Sequence, residues 1–142
     1  KLIKEIILKN KNNDKKIELN IVEELGSKTF LPIRKNIFER SIQNLIDNAF
    51  NHGNKTLIKV IYNKKFVIIS VEDNGPGISK KYREEALKPF SRLDNSRNQN
   101  KHSGVGLGLS ITFDTIRSHG GNLSLTRSKN LGGLMVRITL PM

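Results

Sequence analysis

Apolar residues recur along Phe38 to Gly53 at Ile42, Leu45, Ile46, Ala49 and Phe50. Steps of three and four predict an amphipathic helix with one face in a core. The opposite stripe carries Asn44, Asp47, Asn48 and Asn51, side chains that the same spacing stacks one above another. Asn competes with the backbone for hydrogen bonds and is a mediocre helix former, so this stripe needs a reason. One reason is a plain solvated face. The other is that carboxamide oxygens ligate a hard cation such as Mg²⁺ beside substrate phosphates.

The remaining pattern surrounds that helix with short strands. Leu2, Ile3, Ile6 and Ile7 predict the tail of a helix begun upstream, followed by a polar loop over Lys9 to Lys16. Ile17, Leu19 and Ile21 alternate with polar residues and predict a half-buried strand. Gly26-Ser27 reads as a turn and Thr29 to Leu31 as a short extended piece. Pro32 suits the first turn of the central helix, with Gly53 as its left-handed stop. Thr56 to Tyr62 and Lys65 to Glu72 are β-rich runs joined by a hairpin-like Asn63-Lys64 link. Asp73-Asn74-Gly75-Pro76-Gly77 is a glycine-punctuated turn, and Ser79 is placed to cap a short helix to about Leu87. Phe90 to Ser103 is polar and patternless, as expected of a functional lid. Gly104 to Gly108 open a helix to about Ser118, stopped by Gly120-Gly121; strands follow at Leu123 to Thr126 and Leu134 to Leu140, around a turn at Gly132-Gly133. The expected fold is a two-layer α/β sandwich: one mixed sheet of about five strands, three main helices on one face, and the other face partly exposed.

Composition narrows the classes. At 142 residues the chain is long enough for one domain with a real core. It has no cysteine, which excludes a disulfide framework or a thiolate metal site. The longest apolar run, Phe66 to Val71, is far too short to span a membrane, and no signal peptide is visible. Starting at Lys1 rather than Met, it reads as a piece of something longer. The net charge of +12 raises a nucleic-acid partner. The lysines are dispersed, however, without an aromatic platform, and a solvated basic surface that attracts nucleotide phosphate is the preferred reading.

Three further stretches carry candidate chemistry. An Asp at a strand end, such as Asp73, can accept a hydrogen bond from an exocyclic amine, and glycines beside it let a flat ring approach the backbone. It can also be an ordinary Asp-x-Gly turn. Gly104-Val105-Gly106-Leu107-Gly108-Leu109 offers free amides to phosphate at a helix start, yet it fits neither a Rossmann fingerprint nor a Walker loop. In Lys88-Pro89-Phe90-Ser91-Arg92, Phe90 can anchor the lid while Arg92 and Arg97 reach phosphates. The alternative is a core Phe90 with surface arginines.

In this order the stretches resemble the catalytic, ATP-binding domain of bacterial sensor histidine kinases. These belong to the superfamily of gyrase, heat-shock chaperone, histidine kinase and mismatch-repair ATPases. Asn44-Leu45-Ile46-Asp47-Asn48-Ala49 looks like the N box, Asp73 to Gly77 the G1 box, Pro89-Phe90 the F box and Gly104 to Leu109 the G2 box. Asn48-Ala49, His52-Gly53, Gly132-Gly133 and Leu140-Pro141 look most like the osmosensor-type kinases. The resemblance covers nearly the whole chain as a single domain of the Bergerat ATP-binding type, with residues 1–10 as the end of a linker helix from a missing phosphoacceptor domain.

The resemblance implies that Asn48 ligates Mg²⁺ and that Asn44 lies near the phosphates or the metal's water shell. It implies that Asp73 binds the adenine amine of ATP, with Gly75, Gly77 and Ile78 flanking the ring. Phe90 and the run Ser103, Gly104, Val105, Gly106, Leu107, Gly108 and Leu109 join the nucleotide-binding set, cradling phosphates and hinging the lid. Arg92 and Arg97 steady the γ-phosphate. Where hydrolysing relatives place a water-activating Glu, this chain has Asn44, which is no general base. Two members of the nucleotide-binding set depart from the pattern: Asn51 stands where the family often has a cation, a task Lys55, Arg97 or Lys101 can assume, and His52, which can stack on adenine or merely cap the helix, stands where it often has Tyr. None of His52, His102 and His119 sits in a phosphoacceptor context. The acceptor is therefore expected on a separate domain of a dimeric, inner-membrane-anchored kinase, with this part cytoplasmic, making no direct membrane contact, and a response regulator downstream. An isolated fragment is expected not to dimerise. Alternatives are a degenerate nucleotide-binding or docking module without turnover, and an ATPase of the same superfamily.

Overall fold

The computed structural model describes residues 6, 8, 16–23, 34–62, 65–88 and 103–141. In chain order the elements are β1 (Lys16–Glu23), α1 (Lys35–His52), β2 (Lys55–Tyr62), β3 (Phe66–Asp73), a 3₁₀ turn (Lys80–Tyr82), α2 (Arg83–Ala86), α3 (Ser103–Ser118), β4 (Asn122–Arg127) and β5 (Leu134–Pro141). One five-stranded sheet has the order β1-β2-β3-β5-β4. β1 and β2 are parallel, and the other three pairings are antiparallel. The mixed sheet with helices on one face is the two-layer sandwich expected from the sequence.

Period-two alternation separates the two faces of the sheet. Ile58 and Val60 of β2, Val67, Ile69 and Val71 of β3, and Val136, Ile138 and Leu140 of β5 are buried. They form one core with Phe38, Ile42, Leu45, Ile46 and Ala49 of α1 and Leu109 and Ile116 of α3. Burying a Leu or Ile side chain contributes about 1.5–3 kcal/mol, so this face supplies most of the fold's driving force. Ile6 is helical and buried in the same core, whereas Leu8 is exposed. On the far face Ile61 and Phe66 are exposed.

Several local expectations are corrected. α1 begins at Lys35, not Pro32: Arg34 is still extended, at φ −62° and ψ 144°, and supplies no side-chain cap. Gly53 is also extended, at φ −149° and ψ −175°, not left-handed. Its role is close approach, because a Cβ there would fall on Asn74 Oδ1 and lie 3.0 Å from the Gly75 amide. Ser79 makes no capping bond, and its helix resolves into the 3₁₀ turn and the single turn α2. Gly104 to Gly108 open α3 as expected, the helix starting one residue earlier, at Ser103, and ending at Ser118. The stop at Gly120 holds: φ is +79°, Gly121 N–H donates to the Ile116 carbonyl at 2.9 Å and Gly120 N–H to that of Arg117 at 3.0 Å. This pair of bonds is a Schellman ending.

Candidate functional site

The α1 polar stripe is not a uniform solvated face. Asp47 and Asn51 are exposed, and Asp47 accepts from Gln43 Nε2 one turn earlier at 2.8 Å. Asn44 is half-buried and donates from Nδ2 to Thr112 Oγ1 of α3 at 3.4 Å. Asn48 is only 3% exposed, and its Oδ1 has no hydrogen-bond partner among the described residues. A buried amide oxygen left unpaired costs about 1–3 kcal/mol, which a group that paired it would recover. Its chemistry, a hard neutral oxygen, suits a divalent cation.

Asp73 ends β3 on the helix-facing side and is 2% exposed. Its Oδ1 accepts from the Gly75 amide at 2.9 Å and the Leu134 amide at 3.1 Å. Among the described residues its printed bonds are to Oδ1, leaving Oδ2 chemically able to accept another. Burial pushes the carboxyl above its ordinary value of 3.8; the amides of Gly75 and Leu134 and the charge of His52 pull the other way.

Backbone pressed against backbone fixes this corner. Gly133 N–H donates to the Asp73 carbonyl at 3.0 Å, and a Cβ at Gly133 would fall on Asp73 Oδ1. A Cβ at Gly75 would sit 2.5 Å from the His52 carbonyl oxygen, and Gly77 has φ +74°. Asn74 ties the strand end to the α1–β2 turn: its Oδ1 accepts from the amides of Asn54 and Lys55 at 2.9 and 3.0 Å, and its Nδ2 donates to Asn54 Oδ1 at 2.8 Å. Ile78 packs on the core, and its carbonyl accepts from Arg83 Nε at 3.0 Å.

The neighbouring acid, Glu72, points to the other face and does a different job. It is 2% exposed, accepts from Ser128 Oγ at 2.9 Å and Asn130 Nδ2 at 3.3 Å, and lies 3.7 Å from Lys59 Nζ. Ser128 Oγ also accepts from the Leu131 amide at 3.0 Å. Glu72 thereby holds down the β4–β5 turn that carries Gly133 onto Asp73.

Among the sequence-selected residues, the fold gathers Asn44, Asn48, His52, Asp73, Gly75, Gly77 and Ile78 around the C-terminal half of α1 and the end of β3. Ser103, Gly104, Val105, Gly106, Leu107, Gly108 and Leu109 form the first two turns of α3, which packs against α1, and Leu109 is buried. Lys55 is exposed. Phe90, Arg92, Arg97 and Lys101 lie outside the described residues, as does most of the expected lid. The sequence gives no role to the Asn74 side chain or to the contact of Gly133 with Asp73. Gly132-Gly133 reads as a turn and as part of the family resemblance; only the sheet order reveals its contact with Asp73.

A sheet that carries α1 and α3 on one face, with a strand-end acid under glycine turns, defines the class of catalytic-domain folds seen in histidine kinases. The catalytic domain of the histidine kinase ThkA superposes with a TM-score of 0.76 at 23% identity, covering 99% of this chain and 90% of that one. The histidine kinase domain of the Escherichia coli osmosensor EnvZ superposes with a TM-score of 0.70 at 30% identity, covering 99% and 84%. The Escherichia coli sensor histidine kinase CpxA is 35% identical over 108 residues, which is 75% of this chain and 23% of that protein. The chain thus spans about a quarter of the length of the curated relatives it matches. The family described as histidine kinase-, DNA gyrase B-, and HSP90-like ATPase matches residues 34–142, and the chain belongs to it. No helix among the described residues is long and apolar enough to cross a membrane.

Proposed function

We propose that this domain binds Mg-ATP and passes the γ-phosphoryl group to a histidine on a separate dimerisation domain, as the catalytic part of a protein-histidine kinase in two-component signalling. The observation that supports the reading is Asp73: a buried strand-end carboxylate with one oxygen held by two backbone amides and the other able to accept. An ionised carboxylate only accepts, which matches the adenine exocyclic amine. The unpaired Asn48 Oδ1 and the Asn44 amide are the groups that would hold Mg²⁺. Among the described residues no three His, Cys, Asp or Glu side chains converge, so phosphate oxygens and water would complete its shell. Bound there, the ion would neutralise charge on the phosphates.

The chain's own residues then position rather than activate. Neither Asn44 nor Asn48 is a base near neutral pH, which disfavours attack by water and so disfavours the ATPase alternative. Holding the γ-phosphoryl in line with an incoming imidazole is the work left to the protein. The amides that open α3 at Ser103 to Gly106 are the phosphate contacts, with Arg92 and Arg97 as partners of the γ-phosphate. Membrane anchoring, the cytoplasmic setting and the response regulator follow from the same kinase reading.

Calorimetric titration of ATP with and without Mg²⁺ tests it, followed by phosphotransfer to a supplied acceptor domain. Mg-dependent binding with transfer is the expected result. Binding without transfer leaves the docking module, and no binding overturns the nucleotide reading.

A further inference from the structure

Resting on the adenine-nucleotide reading of the site, we propose that the Thr56 hydroxyl is a second reader of the purine ring. With Asp73 it would set the preference for adenine over guanine. Thr56 is 2% exposed, and its Oγ1 is buried without a hydrogen-bond partner among the described residues. In the β2–β3 ladder Thr56 stands directly opposite Asp73. Opposed residues of an antiparallel pair project to the same face, with Cβ atoms about 4.5–5.5 Å apart. Two side chains so placed can reach neighbouring atoms of one ring edge, directly or through one water.

The two groups differ in what they offer. Asp73 Oδ1 is taken by the Gly75 and Leu134 amides, so the carboxylate presents one accepting oxygen. The Thr56 hydroxyl can donate. Accepting and donating side by side match the adenine edge, whose amine donates and whose ring nitrogen N1 accepts. Guanine presents the reverse order. The unpaired hydroxyl costs the free protein stability, and a ligand that pairs it recovers that loss. The two buried orphan atoms Asn48 Oδ1 and Thr56 Oγ1 sit on either side of the α1–β2 connection at Gly53. The third, Thr126 Oγ1, lies opposite Met135 on the other face of the sheet, away from Asp73.

The test compares Thr56→Val, which keeps the shape and removes the hydroxyl, with Thr56→Ser, which keeps the hydroxyl. Each is titrated with ATP and with the analogue in which N1 is replaced by CH. Thr56→Val should bind ATP about tenfold more weakly, and the wild type should bind the analogue more weakly by a similar factor. Thr56→Val should lose nothing further on the analogue, while Thr56→Ser stays within a few-fold of wild type on ATP. A thermal melt without nucleotide should show Thr56→Val at least as stable as wild type, because its buried hydroxyl is gone. Unchanged ATP affinity in Thr56→Val overturns the proposal, as does an equal loss on both nucleotides, which marks a structural role. If the wild type binds ATP and Asp73→Asn weakens it strongly while Thr56→Val does nothing, only the Thr56 role falls. If the wild type binds neither nucleotide, the ATP reading falls with it.

Discussion

Replacing Asp73 by Asn separates the two things its carboxylate does. Asn keeps an oxygen for the Gly75 and Leu134 amides but loses the charge. A hydrogen bond to a charged group is worth about 1.5–3 kcal/mol, so ATP affinity should fall by roughly 10- to 150-fold. Stability should move the other way. Burial raises the Asp73 pKa above 3.8, so the folded state holds its proton more tightly than the unfolded chain does. Such a group favours the fold below 3.8, and that contribution is lost as pH rises through the folded pKa. Asn mimics the protonated form at every pH. Urea denaturation should therefore find Asp73→Asn at least as stable as wild type at neutral pH, with the gap closing on acidification. A mutant less stable at neutral pH by more than about 1 kcal/mol, or a difference indifferent to pH, would refute the account of how this acid is held.

Three further outcomes follow from the packing around that acid. Gly133→Ala puts a Cβ on Asp73 Oδ1; it should destabilise by about 1–3 kcal/mol and weaken nucleotide binding, read by urea melts and calorimetry on the same protein. Asn74→Ala removes three solvent-accessible bonds and should cost about 1–2 kcal/mol in total, whereas Asn74→Asp, which keeps the accepting oxygen, should recover most of it in a thermal melt. Glu72→Ala strips Ser128, Asn130 and Lys59 of their shared partner; it should cost about 1–3 kcal/mol and speed amide hydrogen exchange at Leu131 and Gly132, while exchange in α1 stays as it was.

Much of the architecture was legible because period alone carries it. Alternation in Leu134 to Leu140 and the three-four spacing from Ile42 to Phe50 each report a half-buried element, and no partner is needed to read them. Ends were less legible. α1 starts later than Pro32 suggests, since a residue suited to a first turn does not compel one. Gly53 was assigned a torsional role when its real constraint is steric, set by Asn74, distant in sequence. The site divides in the same way. Asp73 stands out as an acid closing an apolar strand and Asn48 as part of an Asn-rich helical stripe, but that Asn48 is buried shows only in the fold. Thr56 looks like an ordinary strand residue until the β2–β3 register sets it beside Asp73. Glu72 and Asp73 are consecutive acids; the glycine turn after Asp73 marks that one in the sequence, while the task of Glu72 on the opposite face appears only in the fold.

The order β1-β2-β3-β5-β4 places β5, the last of these strands in sequence, inside the sheet between β3 and β4. Leu134 and Gly133, which complete the hold on Asp73, belong to that strand and the turn before it. During synthesis the pocket floor therefore cannot close until nearly all of this stretch has left the ribosome. A prematurely terminated chain would carry the α1 stripe and the strand-end acid yet have nothing to seat the carboxylate. On the nucleotide reading proposed above, a ligand present during folding would selectively stabilise chains that include β5.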